Sequence, residues 1–281
     1  MIGTPSARRR MVGAALRRYR ENLGYNLEEA ARTLECDCSK ISRIETGQRS
    51  IRALELRALL EEYGADEDER RALSAIADPR ARGWWQHFPD VLSEAYQEYA
   101  IVEAAASVIS VYENHRVPEL LQTGLYACAI AAADPVAPAA PNDRAAQAAL
   151  ARQKVILAQD RPGLAVVIGE GALHQLVGGE AVMREQCGHL AAISKVNAKV
   201  TIQVLPFAAG AHAAIGGGPM TVLGFAQTSS LGMVHLASIP GGVFLDGQEE
   251  VACYNGVFRR LQALALPPGE SARLLQEMAG S

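Results

Sequence analysis

The sequence contains no apolar run that reaches the ~18 residues of a membrane-spanning helix. It begins with MIGTPSARRR, which lacks the apolar centre of a secretory signal peptide. Its five cysteines are odd in number and irregularly spaced along 281 residues, which argues against a disulfide framework and indicates reduced thiols. Together these absences predict a cytoplasmic protein that has no membrane partner.

Recognisable catalytic and metal-binding motifs are also missing. The six histidines are scattered, none forms H-E-x-x-H, and there is no G-x-S-x-G nucleophile motif. Gly216-Gly217-Gly218 lacks the strand–loop–helix setting of a phosphate-binding loop, so we interpret it as a flexible hairpin loop. The sequence therefore predicts no catalytic residue, no metal, no cofactor and no enzymatic activity.

The closely spaced Cys36 and Cys38 leave two interpretations open. A zinc site needs about four ligands, and no nearby histidine or cysteine supplies the others. A redox-sensing thiol is the alternative to a structural one, and Cys38 is the better candidate because it starts a predicted helix. We expect both thiols to be structural.

The net charge of −4 looks unfavourable for binding nucleic acid, but the charge is unevenly distributed. Residues 1–65 contain 12 arginines and lysines against 9 acidic residues, whereas the rest of the chain contains 15 against 22. A basic segment attached to an acidic body indicates that only the first part meets a polyanion.

Residues 1–80 show the pattern of five consecutive helices and no strand. These predicted helices cover about 8–22, 27–34, 38–45, 52–63 and 67–77. Asn26 and Asp37 are suited to cap the second and third helices, and Gly47 to end the third. The segment Asp78-Pro79-Arg80-Ala81-Arg82-Gly83 then breaks the pattern and marks a domain boundary.

Residues 84–281 mix strand and helix patterns without strict alternation, which favours a larger α+β domain. Strands are predicted at about 107–113, 164–169, 200–207, 220–225 and 233–238. Helices are predicted at about 90–104, 119–133, 143–158, 180–195, 248–264 and 271–279. A Pro- and Ala-rich loop, DPVAPAAPN, precedes the third of these helices. The fold class is therefore α+β, with an all-α five-helix domain at 1–80 followed by an α+β domain at 84–281.

The second and third helices are joined by a three-residue turn and form a helix-turn-helix unit. Packing on Ile41 and Ile44 would leave the start of the third helix facing outward, where a DNA major groove accepts one helix. Arg43 can contact a guanine, Lys40 and Arg49 suit phosphates, and the first amides of the second helix can also meet a phosphate. The predicted DNA-binding residues are Asn26, Cys38, Ser39, Lys40, Ser42, Arg43 and Arg49.

The segment LGYNLEEAARTLECDCSKISRIETGQRS resembles the lambda-repressor-like, XRE-type helix-turn-helix. The resemblance covers about residues 8–65 and includes the turn at Gly24, the small Ala31 and the ending Ile44-Glu45-x-Gly47. It implies a structural ion pair between Arg20 and Glu45. It also implies base-reading positions at Cys38, Ser39 and Arg43.

The segment from about 84 to 279 resembles the C-terminal domain of the actinobacterial WhiJ-like regulators. The motifs that carry the resemblance are WW at 84–85, VPELLQTGLYA at 117–127, RQ at 152–153, VIGEGALHQLVGG at 167–179, VTIQVLPF at 200–207 and ALPPGES. The resemblance implies an antitoxin-like regulator that pairs with a small companion protein encoded nearby. The sequence departs from the pattern at Glu119, where glycine is usual, and at His235, where tyrosine is commoner.

Two functional hypotheses follow. The first is a sequence-specific transcriptional regulator that binds double-stranded DNA through residues 38–45, while the C-terminal domain senses a ligand or binds a partner. A homodimer is expected because one recognition helix covers only a half-site. The second is an antitoxin-like interaction protein that sequesters the companion protein and binds DNA mainly for autoregulation. Trp84 and Trp85 fit either a core at the domain junction or an exposed anchor for a partner.

Overall fold

The N-terminal part of the chain folds into five helices in the computed structural model, which describes residues 5–133, 142–158, 162–225, 231–238 and 241–280. These helices are α1 (Ala7–Asn22), α2 (Leu27–Thr33), α3 (Cys38–Glu45), α4 (Ala53–Glu62) and α5 (Glu67–Ala77). Their bounds lie within about two residues of the predicted ones, because hydrophobic periodicity and turn residues specify helix ends locally. Most of the predicted loop DPVAPAAPN, residues 134–141, lies outside the described residues.

The turns around α2 and α3 follow the predicted chemistry in part. The Asn26 side chain accepts hydrogen bonds from the amides of Glu28 and Glu29, so it caps α2. Gly47 follows α3 with φ of +72°, a left-handed conformation that favours glycine. Asp37 occupies the N-cap position of α3, but its side chain makes no capping hydrogen bond. This part of the prediction was wrong because position alone does not orient the carboxylate.

The five helices share one buried core. Ile41 and Ile44 of α3 are buried with Met11 and Leu16 of α1, in agreement with the apolar stripes of the sequence. Gly13 lies where α1 crosses the end of α3, and a Cβ built there would come within 2.4 Å of the Ile44 carbonyl oxygen. The two helices therefore approach as closely as they do only because this position lacks a side chain.

The described residues of the C-terminal part form seven α-helices and a six-stranded sheet. The helices are α6 (Glu94–Ala105), α7 (Gly124–Ala133), α8 (Asn142–Ile156), α9 (Glu170–His174), α10 (Glu180–Val196), α11 (Gln248–Leu264) and α12 (Pro268–Gly280). The strands are β1 (Val108–Glu113), β2 (Gly163–Gly169), β3 (Val200–Leu205), β4 (Met220–Gly224), β5 (Gly232–Ser238) and β6 (Gly241–Leu245). Across the sheet they run β3-β2-β1-β4-β5-β6. The chain is thus α+β, as predicted.

The sheet is half parallel and half antiparallel. β1, β2 and β3 are parallel, whereas β4, β5 and β6 pair antiparallel, starting from β1. α6 lies on one face, where Tyr99 packs against His235 and Phe244. α11 lies on the other face, where Phe258 and Leu261 cluster with side chains of β1 and β2. The C-terminal end of the central strand β1 therefore lies beside α6 on this face of the sheet.

Three local predictions for this part were wrong. The helix predicted at 119–133 is a short 3-10 turn followed by α7, because the buried Gln186 binds the backbone amide of Thr123 and holds this segment extended. β6 and α9 were not predicted, since both are short and the first is glycine-rich. Residues 216–218 precede β4, which pairs with β1 rather than with β3, so they do not form a hairpin loop.

The two parts of the chain pack directly on each other. α1 and α5 contact α6. Two ion pairs also cross the junction, Arg8 with Glu98 and Arg10 with Asp246, each with an N–O distance of 3.4 Å. Trp84 and Trp85 are buried, which favours their interpretation as core residues. No helix within the described part of the chain is both long and apolar enough to cross a membrane.

Candidate functional site

The third helix is held in place by an ion pair. Arg20 of α1 donates two hydrogen bonds to the carboxylate of Glu45 and a third to the backbone oxygen of Tyr25. Both charged side chains are more than nine-tenths buried. The pair joins α1 to the last residue of α3. It therefore holds α3 in one orientation, with its opposite side facing solvent.

Ser39 and Arg43 form the exposed side of α3, one helical turn apart. Arg43 Nε donates to the Ser39 carbonyl oxygen at 3.1 Å, and Arg43 Nη2 donates to Ser39 Oγ at 3.2 Å. Exposed hydrogen bonds of this kind stabilise the folded state by only about 1 kcal/mol, so Arg43 can exchange them for a base edge. Arg49 is also exposed, and its guanidinium has no partner among the described residues.

Other residues predicted to contact DNA are engaged within the protein. Lys40 Nζ lies 2.7 Å from Glu55 Oε1, and both side chains are only 19% exposed. Partial burial opposes ionisation of Glu55, but Lys40 outweighs it and lowers the pKa of this carboxyl. Cys38 and Ser42 are half-buried, and Cys38 packs against the core. Asn26 is exposed and its Oδ1 already binds two amides of α2, which leaves fewer of them for a phosphate.

The cysteines at the turn do not assemble a recognisable metal site. Cys36 is half-buried, and burial raises the pKa of its thiol. Among the residues that the structure describes, no three His, Cys, Asp or Glu side chains are placed to hold one metal ion. The five cysteines are all free thiols.

A second candidate site lies in the C-terminal part, at the end of β1. Val111, Thr221 and His235 occupy paired positions on three neighbouring strands, so their side chains lie on one face of the sheet. Tyr96 and Tyr99 of α6 stand opposite this row and line a cleft that is open to solvent. We name it the β1-end cleft; its polar lining residues include Glu113, Arg116, Glu119, Arg152 and His235.

Arg152 organises the deep wall of the β1-end cleft. Its guanidinium makes two hydrogen bonds with the fully buried Glu103, one with Glu119 at 2.7 Å and one with the Tyr96 hydroxyl at 2.8 Å. Arg116 adds a second contact to Glu119 at 3.1 Å. Burial raises the pKa of Glu119, but the two arginines more than offset it and lower the pKa to about 2. Glu119 is therefore ionised at neutral pH.

Glu113 stands apart from this network. Its nearest cationic contact, Arg116 Nε, is 3.5 Å from Oε1, while Oε2 is buried and has no hydrogen-bond partner among the described residues. Burial raises the pKa of Glu113 to about 7, although Arg116 acts in the opposite direction. Burial also lowers the pKa of His235, whose ring contacts those of Tyr99 and Phe244 at centroid distances of 4.9 and 4.8 Å.

Sequence reasoning did not find the β1-end cleft. Glu103, Arg152 and His235 are far apart in the chain and meet only through the packing of α6, α8 and β5. One local signal was available, because Glu113 ends a strand whose other members are mostly apolar and which is buried from Ile109 onward. A carboxylate in such a strand is unusual and points to a specific environment.

Comparison with known proteins gives two matches. Residues 96–277 match the family described as a domain of unknown function, DUF5753. Residues 12–73 match the family described as a helix-turn-helix domain, which spans most of α1 through α5 and indicates DNA binding with a regulatory role. No curated protein and no solved structure matches the chain.

Proposed function

Since the chain belongs to the family defined by the DUF5753 domain and carries a helix-turn-helix domain ahead of it, we propose that it is a sequence-specific transcriptional regulator. The recognition helix is α3, and Ser39 and Arg43 read base edges in the major groove. Arg49 contacts a phosphate beside them. The helix-turn-helix match supports a regulator rather than an enzyme.

One observation carries this proposal. Arg43 and Ser39 are exposed on the side of α3 opposite to Ile41 and Ile44, and the Arg20–Glu45 ion pair anchors that helix to α1. A rigidly held helix with an exposed arginine and hydroxyl is the arrangement that direct readout of a major groove requires. Cys38, Lys40, Ser42 and Asn26 then act by shaping and supporting this surface.

The experiment is selection of bound duplexes from a randomised DNA library by the full chain, followed by sequencing. We expect one preferred site, repeated as two half-sites if the protein binds as a dimer. Arg43→Ala should flatten the preference. Arg57→Ala is the matched control, because Arg57 is an exposed arginine of α4 that pairs with Glu61. A library that returns no enriched sequence would exclude sequence-specific binding.

The C-terminal domain is proposed to set the response of the DNA-binding part. It contacts α1 through Arg8 and Arg10, so a change at the β1-end cleft has a direct route to the first helix. Homodimerisation and a cytoplasmic location belong to the same proposal. Glu119 and His235, the two positions at which the sequence departs from the WhiJ-like pattern, both line that cleft.

The alternative function is an antitoxin-like protein that holds a small companion protein. It is supported by exposed apolar side chains in the segments that follow β2 and β3, where Phe207 and Ile215 are each 67% exposed and Leu176 is 63% exposed. Co-expression with small proteins encoded nearby distinguishes the two functions. A stable complex that prevents DNA binding favours the alternative, whereas DNA binding that is unchanged favours the regulator.

A further inference from the structure

Glu113 lines the β1-end cleft and is only 6% exposed. Its Oε2 is buried and has no hydrogen-bond partner among the described residues. An unsatisfied buried carboxylate is costly, and such groups in a cleft mark candidate binding sites. We propose that the cleft binds a small organic cation with an N–H donor, a primary ammonium or a guanidinium group, and that Glu113 Oε2 accepts its hydrogen bond. This inference deepens the ligand-sensing role within the proposed function.

The charges around the cleft favour a cation. Three carboxylates, from Glu103, Glu113 and Glu119, meet only two guanidinium groups, from Arg116 and Arg152. With His235 neutral, the ionised cluster has one negative charge in excess. A singly charged cation therefore balances the cluster, whereas an anion would add a second excess charge to a buried site.

Neither arginine donates a hydrogen bond to Glu113 Oε2. Arg152 makes four hydrogen bonds to Glu103, Glu119 and Tyr96. Arg116 directs its shorter contact to Glu119, at 3.1 Å, and its longer one to the other oxygen of Glu113, at 3.5 Å. Above its pKa of about 7 Glu113 is a carboxylate and only accepts hydrogen bonds, so the missing partner of Oε2 is then a donor.

The rest of the lining indicates the shape of the ligand. Apolar groups of Val111, Pro118, Leu120, Pro219 and Met220 surround the charged centre. They offer contact to a short hydrocarbon chain attached to the cationic head. A metal ion is disfavoured, because the described residues contain no three His, Cys, Asp or Glu side chains that converge on one point.

The position of the cleft connects a bound cation to the DNA-binding part. Tyr96 and Tyr99 of α6 line the cleft, and Glu98 of the same helix pairs with Arg8 of α1. On the other side, His235 stacks on Phe244 of β6, and Asp246 just after this strand pairs with Arg10. Movement of α6 or β6 upon binding would therefore act on α1 at two points.

The test measures binding of n-propylammonium to the full chain by calorimetry at pH 8, without DNA. Two controls separate charge from donor: n-propanol has a donor and no charge, and tetramethylammonium has a charge and no donor. We expect n-propylammonium to bind and both controls to bind at least tenfold more weakly. Glu113→Gln should weaken n-propylammonium binding at least tenfold, and the exposed Glu249→Gln should leave it unchanged. No binding to the wild type, or equal binding to Glu113→Gln, overturns the proposal.

A second measurement covers the case in which Glu113→Gln does not fold. The wild type should bind n-propylammonium about tenfold more weakly at pH 6 than at pH 8, because Glu113 takes up a proton over this range. The other titratable or charged groups that line the cleft are Tyr96 and Tyr99 from α6, Arg116, Glu119, Arg152 from α8 and His235 from β5. Of these, His235 is the one whose usual range lies nearby, and burial lowers its pKa. Equal affinity at the two pH values contradicts the assignment to Glu113.

Failure of this proposal and failure of the proposed function give different results. Binding of n-propylammonium is measured without DNA. If the chain binds the amine but no DNA, the cation site is supported and the proposed regulatory function fails. If the chain selects a DNA site but binds no amine, the proposed regulatory function is supported and the cation site fails. If the chain binds both the amine and DNA, gel shifts are compared without amine and with amine at about ten times its dissociation constant. This concentration nearly saturates the site.

Discussion

The guanidinium of Arg20 and the carboxylate of Glu45 form two parallel hydrogen bonds, with N–O distances of 2.6 and 2.8 Å. The two side chains are 9% and 5% exposed and lie 25 positions apart in the chain. Bidentate geometry and burial distinguish this pair from the exposed ion pairs of the same domain, such as Arg57 with Glu61. It is a polar link between α1 and the end of α3.

Glu45→Ala should lower the free energy of unfolding by about 3 kcal/mol, because it leaves the buried charge of Arg20 without its partner. Thermal or urea denaturation followed by circular dichroism measures the change. Glu61→Ala is the matched control and should leave stability nearly unchanged, since its pair is exposed. Equal effects of the two substitutions would falsify a structural role for the pair.

Arg43→Ala should reduce discrimination between the preferred DNA site and unrelated DNA by about 1–3 kcal/mol, because a bidentate contact to a guanine is lost. Arg49→Ala should instead weaken binding to all sequences alike and lower its salt dependence. Gel shifts at several salt concentrations separate the two effects. Unchanged discrimination in Arg43→Ala would remove this residue from base readout.

Cys36→Ser and Cys38→Ser should bind DNA as the wild type does, both with and without peroxide or a chelator. Burial raises the pKa of Cys36, which lowers its thiolate fraction, and no metal-binding cluster is present among the described residues. Gel shifts after peroxide treatment provide the measurement. The prediction is wrong if peroxide abolishes DNA binding by the wild type but not by Cys38→Ser.

The pKa of about 7 for Glu113 predicts a specific dependence of stability on pH. A carboxyl whose pKa is raised on folding keeps its proton in the folded state after the unfolded chain has released it. Its contribution to stability is therefore full below about pH 4.5 and is lost as the pH rises through about 7.

Relative to Glu113→Gln, the wild type should lose on the order of 2–3 kcal/mol of unfolding free energy between pH 5 and pH 8. Urea denaturation of both proteins at the two pH values gives the difference. Glu249→Gln, an exposed substitution, controls for the change in net charge. Parallel pH profiles for the wild type and Glu113→Gln would contradict the raised pKa.

Residues 84–281 should fold without the N-terminal helices and should not bind DNA. The fragment retains the six-stranded sheet with helices on both faces, and from residue 83 onward it carries 11 basic against 17 acidic residues. It loses the contacts of α1 and α5 with α6, so its melting temperature should be lower than that of the full chain. Circular dichroism, size exclusion and gel shift test these expectations. An unfolded fragment refutes the domain boundary near residue 80. A fragment that shifts DNA refutes the assignment of DNA binding to the N-terminal helices alone.

Much of the fold could be predicted from the sequence alone. The five N-terminal helices and five of the six strands were predicted within a few residues, because periodicity, capping residues and Gly47 act within one or two turns of chain. The α+β class followed from the order of these patterns. Short elements such as β6 were missed, since glycine-rich segments have little intrinsic preference for a strand and form one only beside a partner.

The tertiary structure decided what each polar side chain does. The sequence places Lys40 on α3, but only the tertiary fold brings Glu55 of α4 to 2.7 Å from it and pairs its charge. Likewise, nothing local brings Arg152 and His235 to the cleft that Glu113 lines; α6, α8 and the strand order do so. Local patterns determine helices and strands because their hydrogen bonds are short in sequence, whereas burial and charge pairing depend on residues that meet only when the whole chain has folded.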